Sequence, residues 1–172
     1  MKLKPLNPEN NNSIIFGNSH SGLHYWIGLL SNGHDYFIGQ SFRSPATGRL
    51  RSICILPELI LENITARLSV FHFDRERSQC REKLAETVLT LQTCDAKSWA
   101  SFNSLDLELE RDKDYCFKID CNDGKMMAVA ECAWNNAPGC SDGAEWVGHS
   151  ANTDGHFFAG FGLTFLAEIR AN

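Results

Sequence analysis

The sequence lacks a long apolar run, an excess of basic residues and any CxxC pair. Without about 18–20 consecutive apolar residues, no segment is predicted to cross a bilayer as a helix. With 16 basic against 21 acidic residues, the chain carries a formal charge of -5 and lacks the positive patch that nucleic acids require. It also contains no Gly-rich phosphate loop and no zinc-finger spacing. We therefore expect neither a nucleic-acid partner nor membrane insertion.

The N-terminus lacks the features of a secretory signal. Pro5, Asn7 and Pro8 stand where about 7–15 apolar residues would be needed. We expect a cytoplasmic protein as the sequence is written, or an extracellular one if a signal was removed and a methionine added. Residues 1–13 are polar and predict a flexible lead-in to a single domain over residues 14–172.

The number of cysteines is odd, so at least one has no partner within the chain. Buried or half-exposed free thiols in a reducing compartment are the preferred interpretation, since a free cysteine usually behaves as a small core residue. A disulfide framework is the alternative. The seven cysteines are Cys54, Cys80, Cys94, Cys116, Cys121, Cys132 and Cys140.

Alternation of apolar and polar residues is the dominant pattern. Residues 104–110 read SLDLELE, which places Leu105, Leu107 and Leu109 on one side of an extended strand and the acids on the other. Residues 36–42 and 65–73 alternate in the same way. With 172 residues and 43% hydrophobic content, this pattern predicts a single all-β domain of half-buried antiparallel strands.

Asn122-Asp123-Gly124 predicts a tight β-hairpin turn, because Asp-Gly favours the positive φ angles of a type I′ turn. The resulting ladder would place Cys121 opposite Met126 and would separate Cys121 from Cys132 by roughly 20 Å at ~3.3 Å per residue. A disulfide between these two cysteines is therefore excluded if the hairpin forms.

Two segments are harder to interpret. Residues 78–92 place Cys80, Leu84, Val88 and Leu91 at helical spacing, but β-branched and apolar residues follow Val88. We favour a mobile loop over residues 74–83 followed by a strand near 86–92, with a helix as the alternative. The apolar residues of 156–169 predict one last strand that is covered on both sides.

Several segments resemble bacterial jelly-roll domains. Residues 40–53, QSFRSPATGRLRSI, resemble the opening motif of such domains, and TARLSVFHF at 65–73 resembles the strand that follows. SLDLELERDKDYCFKI at 104–119 and GLTF at 162–165 resemble the later strands, so the likeness covers about residues 36–170. These domains are related in architecture to galactose-binding-like and carbohydrate-binding modules. The resemblance implies an antiparallel jelly-roll β-sandwich that binds a sugar or a partner.

The segment 134–156 is rich in aromatic and amide side chains between glycines. Sugar recognition combines an aromatic face with planar amides or carboxylates. We predict a loop-end or concave-face site in which two tryptophans stack on the ligand and four polar residues bind it. The alternative is an ordinary crossover whose tryptophans cap the core. The six predicted ligand-binding residues are Trp134, Asn136, Asp142, Trp146, Asn152 and Asp154.

Metal and catalytic roles are weaker hypotheses. Asp142, Asp154 and nearby carbonyls offer oxygens for a structural Ca²⁺, although no EF-hand spacing is present. We expect no other cofactor. Glu131 with Asp142 or Glu145 is a conceivable catalytic carboxylate pair of a small hydrolase.

The sequence therefore predicts a non-catalytic, jelly-roll β-sandwich that binds a glycan or a protein. A structural or assembly protein that forms oligomers or docks on a partner chain is the first alternative. A small hydrolase is the second.

Overall fold

The structure is a computed structural model that describes residues 12–121, 123–133 and 143–171. These residues form two antiparallel sheets packed as a β-sandwich, with one short 3-10 turn at Thr93–Asp95 and no α-helix among them. Accordingly, the described part of the chain has no helix long and apolar enough to cross a membrane. The predicted all-β, single-domain sandwich is confirmed.

Fourteen strands make up the described part of the fold. In chain order they are β1 Ser13–Asn18, β2 Leu23–Leu29, β3 Asp35–Arg43, β4 Gly48–Ile55, β5 Pro57–Ile60, β6 Ile64–Asp74, β7 Gln79–Leu91, β8 Ala100–Leu109, β9 Asp114–Cys121, β10 Met126–Ala133, β11 Glu145–His149, β12 Asn152–Phe158, β13 Phe161–Leu163 and β14 Phe165–Ala171.

The two sheets differ in size. The smaller sheet has four strands in the order β1-β14-β4-β8. The larger sheet follows the order β13-β10-β2-β3-β9-β6-β7, and it branches where β11 pairs with β3, β12 with β11, and β5 with β10. β2 pairs with β3 only at Tyr36 and Asp35, and β9 continues along the same edge from Ile38, whereas β11 pairs along the opposite edge. β2 and β11 therefore flank β3 on opposite edges.

Alternating residues behave as the sequence predicts. Leu105 and Leu109 are buried on β8, whereas Asp106 and Glu108 are exposed. On β3 every residue from Phe37 to Phe42 is buried, because this strand is covered on both faces. The largest fully buried side chains fill the space between the sheets: Phe102, Phe117, Ile27, Ile38, Leu50, Ile53, Ile55, Ile64, Leu68, Leu109, Ile119 and Met127.

The predicted hairpin between β9 and β10 is wrong. β9 pairs with β3 and β6, whereas β10 pairs with β2, β5 and β13. A type I′ turn needs positive φ at both central residues, but only Gly124 has it, at 76°. The Asp123 carboxylate instead accepts hydrogen bonds from the backbone N–H groups of Thr65 and Lys125. It thereby ties the turn to the start of β6.

Two strand predictions need a change of boundary. Residues 79–91 form one thirteen-residue strand paired with β6, so the strand is confirmed and the loop shrinks to the turn at 75–78. The single strand expected over 156–169 is three strands, β12, β13 and β14. β14 moves to the smaller sheet, where it pairs with β1 and β4.

One disulfide joins Cys80 on β7 to Cys116 on β9, so the prediction of free thiols is wrong for this pair. Cys54, Cys94 and Cys121 are free, and Cys140 lies outside the described residues. Because Cys121 is free, the excluded bond to Cys132 is indeed absent, although the predicted ladder does not form.

Candidate functional site

Three of the six predicted ligand-binding residues can be located in the structure. Trp134, Asn136 and Asp142 lie outside the described residues, so their predicted role stays a prediction. Trp146 lies on β11, and Asn152 and Asp154 lie on the neighbouring strand β12.

Trp146 is a core residue with only 5% of its surface exposed. Its ring stacks on Phe157 with centroids 5.4 Å apart and an interplanar angle of 9°. Phe37 and Phe71 meet it edge-on at 4.9 and 5.9 Å. Its indole N–H donates to the carbonyl of Asp154 at 2.8 Å, which satisfies the one polar atom of the ring. This position does not fit the predicted stacking on a sugar, and it matches the alternative in which the tryptophan caps the core.

The side chains of Asn152 and Asp154 are more exposed than that of Trp146. The Asn152 side-chain oxygen accepts from the N–H of Gly155 at 3.3 Å, and its nitrogen lies 3.3 Å from Nε2 of His156. Asp154 is exposed. Among the described residues, no group of three or more His, Cys, Asp or Glu side chains is arranged to hold a metal ion. The Ca²⁺ prediction also involves Asp142, so it stays a prediction.

A polar groove of about 630 Å³ crosses the outer face of the four-stranded sheet. We call it the sheet groove. Every strand of the sheet contributes to it, and every lining side chain is polar or charged. A groove of this size falls in the range of small-molecule binding sites. Its lining residues are Ser13, Arg51, Ser52, Asn103, Ser104, Asp106, Glu168 and Arg170.

A bulge in the sheet creates this groove. On β4, Leu50 lies opposite Leu107 and Ser52 opposite Asn103, so Arg51 alone faces residues 104–106 of β8. The β14–β4 register shifts at the same level. Ser104 and Asp106 have φ angles of 62° and 47°, which side-chain-bearing residues seldom adopt. Bulges and strained backbone of this kind concentrate at functional sites.

Ion pairs hold part of the groove in place. Arg49, at its rim, contacts Asp106 and Glu108 at 3.2 Å each, and Arg51 lies 3.8 Å from Asp106. The Glu108 hydrogen bond, with the nearby Asp106 charge, raises the pKa of Arg49. These side chains are about half exposed, so the pairs contribute orientation more than stability.

The floor of the sheet beside the groove is uncharged. Cys54 is buried on β4, next to Ser52 and Ser101. Burial is the main reason that the pKa of its thiol is raised, which keeps the thiol protonated. The charges of the groove belong to Arg51, Asp106, Glu168 and Arg170, and Cys54 beside it is neutral.

A second, smaller cavity of about 270 Å³ lies at one end of the sandwich. Phe16, Phe42 and Phe165 contribute aromatic surface to it. The amides that line it are already used, since Asn18 donates to Cys132 Sγ at 2.9 Å and Gln40 accepts from the N–H of Leu163 at 2.9 Å. It therefore offers a ligand fewer available polar groups than the sheet groove.

A buried acid pair joins β10 to β11. Glu131 on β10 and Glu145 on β11 are hydrogen bonded to each other and are only 8% and 3% exposed. Burial, and then the charge and hydrogen bond of Glu131, raise the pKa of Glu145 to about 9. Burial also raises the pKa of Glu131. At neutral pH Glu145 therefore keeps its proton, which lies in the contact between the two carboxyl groups.

His24 is a basic residue near the acid pair, and its electrostatic effect lowers the pKa of Glu131. None of the ion pairs among the described residues involves Glu131 or Glu145, and Oε2 of Glu145 has no hydrogen-bond partner among them. The pKa of Tyr25 is raised by burial and by the neighbouring Tyr36, Glu145 and Glu131. The structure thus brings together one of the carboxylate pairs that the sequence suggested.

The geometry of this pair does not match glycoside hydrolysis. Retaining enzymes separate their two carboxyl groups by about 5–5.5 Å and inverting enzymes by about 6.5–9.5 Å, to leave room for the sugar or a water. Glu131 and Glu145 are in direct hydrogen-bond contact and are buried. This contact gives the pair a structural role as a proton-sharing link between β10 and β11.

Comparison with known proteins identifies the fold. The sequence matches no protein-family model and no curated protein. The structure is similar to a clostridial cysteine protease, Cwp84, after propeptide cleavage, with a TM-score of 0.62 and 8% identity over 95% of this chain and 41% of that chain. It is also similar to a structure of the cysteine protease and lectin-like domains of Cwp84, a surface layer associated protein of Clostridium difficile.

That second match has a TM-score of 0.52 and 7% identity over 87% of this chain and 36% of that chain. This chain thus spans about two fifths of the length of these structures. A GH26-CBM35 mannanase of Podospora anserina is more distant, with a TM-score of 0.37, 12% identity and coverage of 70% of this chain and 27% of that chain. At these identities the likeness to the two Cwp84 structures shows the fold alone, an antiparallel β-sandwich.

Proposed function

We propose that this protein is a non-catalytic carbohydrate-binding module and that the sheet groove is its binding site. The observation that carries the proposal is the groove itself, which has about 630 Å³ of space lined only by polar and charged side chains. Guanidinium, carboxylate and amide groups provide the paired donors and acceptors that sugar hydroxyls need. The backbone strain at Ser104 and Asp106 supports a functional role for the same region.

The fold supports this proposal by analogy. One of the similar structures contains a lectin-like domain, and the jelly-roll resemblance of residues 36–170 implies the same class of galactose-binding-like or carbohydrate-binding module. Fold analogy alone is a weak argument for function, so the groove carries the proposal. The Cys80–Cys116 disulfide supports an extracellular location, because structural disulfides persist in oxidising compartments.

Removing the groove arginines tests the proposal. We expect the wild-type protein to be retarded by at least one polysaccharide in affinity gel electrophoresis with galactomannan, β-glucan, polygalacturonate and alginate. Replacing Arg51 and Arg170 together by Gln should weaken that binding by about tenfold or more, because hydrogen bonds to charged groups each contribute about 1.5–3 kcal/mol.

Arg77→Gln is the matched control. Arg77 is exposed in the turn between β6 and β7, in the other sheet, so its loss should leave retardation unchanged. Equal binding by the arginine-depleted variant and the wild type would place the glycan elsewhere. The sequence-based hypothesis for Trp134 is checked in the same gels with Trp134→Ala.

An assembly role is the second candidate, and one surface favours it. Leu59 on β5 lies opposite Ala128 on β10, which lies opposite Trp26 on β2, so these residues share one face of the sheet. Leu59 is 43% exposed and Leu61, two residues on, is 52% exposed. Leu59, Leu61 and the half-buried Trp26 make up the apolar strip, and Ala128 between β5 and β2 is buried. Exposed apolar surface of this kind is typical of contacts between chains.

The assembly proposal predicts an oligomer that depends on the apolar strip. In light scattering coupled to size exclusion, the wild-type protein should elute as a dimer or larger species, and Leu59→Lys with Leu61→Lys should convert it to a monomer. Val88→Lys is the control, since Val88 is 64% exposed but lies on β7, apart from the strip. A wild-type monomer at high protein concentration would remove this candidate.

A further inference from the structure

The charges of the sheet groove balance. Arg51 and Arg170 contribute two positive charges to its lining, and Asp106 and Glu168 contribute two negative charges. Sites that bind acidic ligands combine several cationic groups without nearby acids, because a carboxylate on the ligand is repelled by one on the protein. The balance in the groove therefore bears on the class of glycan that it accepts.

These four charged residues differ in how many ion pairs and hydrogen bonds they already make. Asp106 is held by Arg49 at 3.2 Å and by Arg51 at 3.8 Å. Among the described residues, Glu168 and Arg170 belong to no ion pair of the groove, and Glu168 Oε1 accepts one hydrogen bond from Ser13 Oγ at 2.8 Å. Glu168 retains acceptor capacity on its carboxylate, and Arg170 retains its guanidinium donors.

Glu168 and Arg170 are placed to act together. They are two residues apart on β14, so both side chains project from the same face of the sheet. One is an acceptor and the other a donor. Neighbouring sugar hydroxyls have the matching pair of properties, because one can donate to a carboxylate while the next accepts from a guanidinium.

We infer that the sheet groove selects neutral oligosaccharides with neighbouring free hydroxyls over acidic ones. In this inference Glu168 and Arg170 bind the two neighbouring hydroxyls. This inference rests on the proposed function. A uronic acid in the same position would bring its carboxylate against Glu168 and Asp106, where like charges disfavour binding. Removal of the Glu168 charge should therefore relax the preference.

The path of the groove favours an extended chain. It crosses β1, β14, β4 and β8, and three strand spacings of ~4.8 Å give a width of about 14 Å. The lining residues come from all four strands, so contacts are distributed along this width. A short internal stretch of a polysaccharide fits such a groove better than a single terminal sugar.

Affinity electrophoresis with the four polysaccharides above, followed by calorimetry, tests the inference. The wild type should bind galactomannan or β-glucan and should not bind polygalacturonate or alginate. Glu168→Gln should bind the neutral polymer about tenfold more weakly and should gain retardation by polygalacturonate. Glu168→Asp keeps the charge and should keep the preference for neutral polymers. Glu82→Gln, an exposed acid on β7, should behave as wild type.

The outcomes separate this inference from the proposed function. If the wild type binds acidic polymers as strongly as neutral ones, or if Glu168→Gln leaves the preference unchanged, the inference is wrong while the carbohydrate-binding proposal stands. If none of the four polymers retards the wild type, both are wrong for this groove. Thermal unfolding of each variant checks that the fold is intact.

Discussion

The free energy of unfolding is expected to fall as the pH rises from about 4.5 to about 9, because the folded protein retains the proton of the Glu131–Glu145 pair. The pKa of Glu145 is about 9 in the folded state and near 4.5 when the chain unfolds. Below this window both states hold the proton, and above it both have lost it. Within the window only the unfolded state releases it, so stability decreases by up to about 1.4 kcal/mol per pH unit.

Urea titrations at pH 5, 7 and 8.5 measure this slope, and Glu145→Gln is the informative variant. A glutamine amide still donates a hydrogen bond to Glu131 but has no proton to lose, so the stability of the variant should depend much less on pH. At pH 8.5 we expect it to be more stable than the wild type. Equal slopes in the two proteins would show that the pair is not the site of the retained proton.

Residues near the Glu131–Glu145 pair affect the pKa values on which this experiment depends. Electrostatic interaction with His24 on β2 lowers the pKa of Glu131, and Tyr25 on the same strand lies near both carboxyl groups. The pKa of Tyr25 is raised above 10, so that residue keeps its proton throughout the window. Glu82→Gln, which removes an exposed carboxyl, should retain the wild-type slope and thus controls for the loss of one charge.

Local alternation made the sandwich predictable. Residues 104–110 show their inward leucines and outward acids directly in the sequence, and the structure keeps that arrangement. The same regularity hid the bulge, because the positive φ angles occur at Ser104 and Asp106 and not at glycine. The sheet groove therefore had no signal in the sequence, since a bulge depends on how β8 pairs with β4.

Long-range pairing is the part that the sequence did not reveal. Asp123-Gly124 predicts a local hairpin, but β10 pairs with β2, a strand about a hundred residues earlier in the chain. The contact between Glu131 and Glu145 likewise depends on strand pairing that is not local in the sequence. Sequence composition marked residues 134–156 as unusual, yet it could not distinguish an exposed tryptophan from one that packs against Phe157.

Replacing Trp146 by Ala is expected to lower the free energy of unfolding by about 3–5 kcal/mol, as is usual for a large buried aromatic residue. The ring fills the space between Phe37, Phe71 and Phe157, so its removal opens a cavity among these side chains. Its removal also leaves the carbonyl of Asp154 without its 2.8 Å hydrogen bond. Urea unfolding followed by far-UV circular dichroism measures the loss.

Two further variants separate a core role from a ligand role for Trp146. Trp146→Phe keeps an aromatic ring but loses the indole N–H, and it should cost far less than the alanine variant, with about 1 kcal/mol for the lost hydrogen bond. Phe158→Ala removes a neighbouring aromatic side chain that is 44% exposed and should have little effect on stability. If Trp146→Ala instead kept the wild-type urea midpoint and abolished glycan binding, Trp146 would be a ligand residue. The burial of Trp146 predicts the opposite, in which the folded fraction of the variant still binds through the sheet groove.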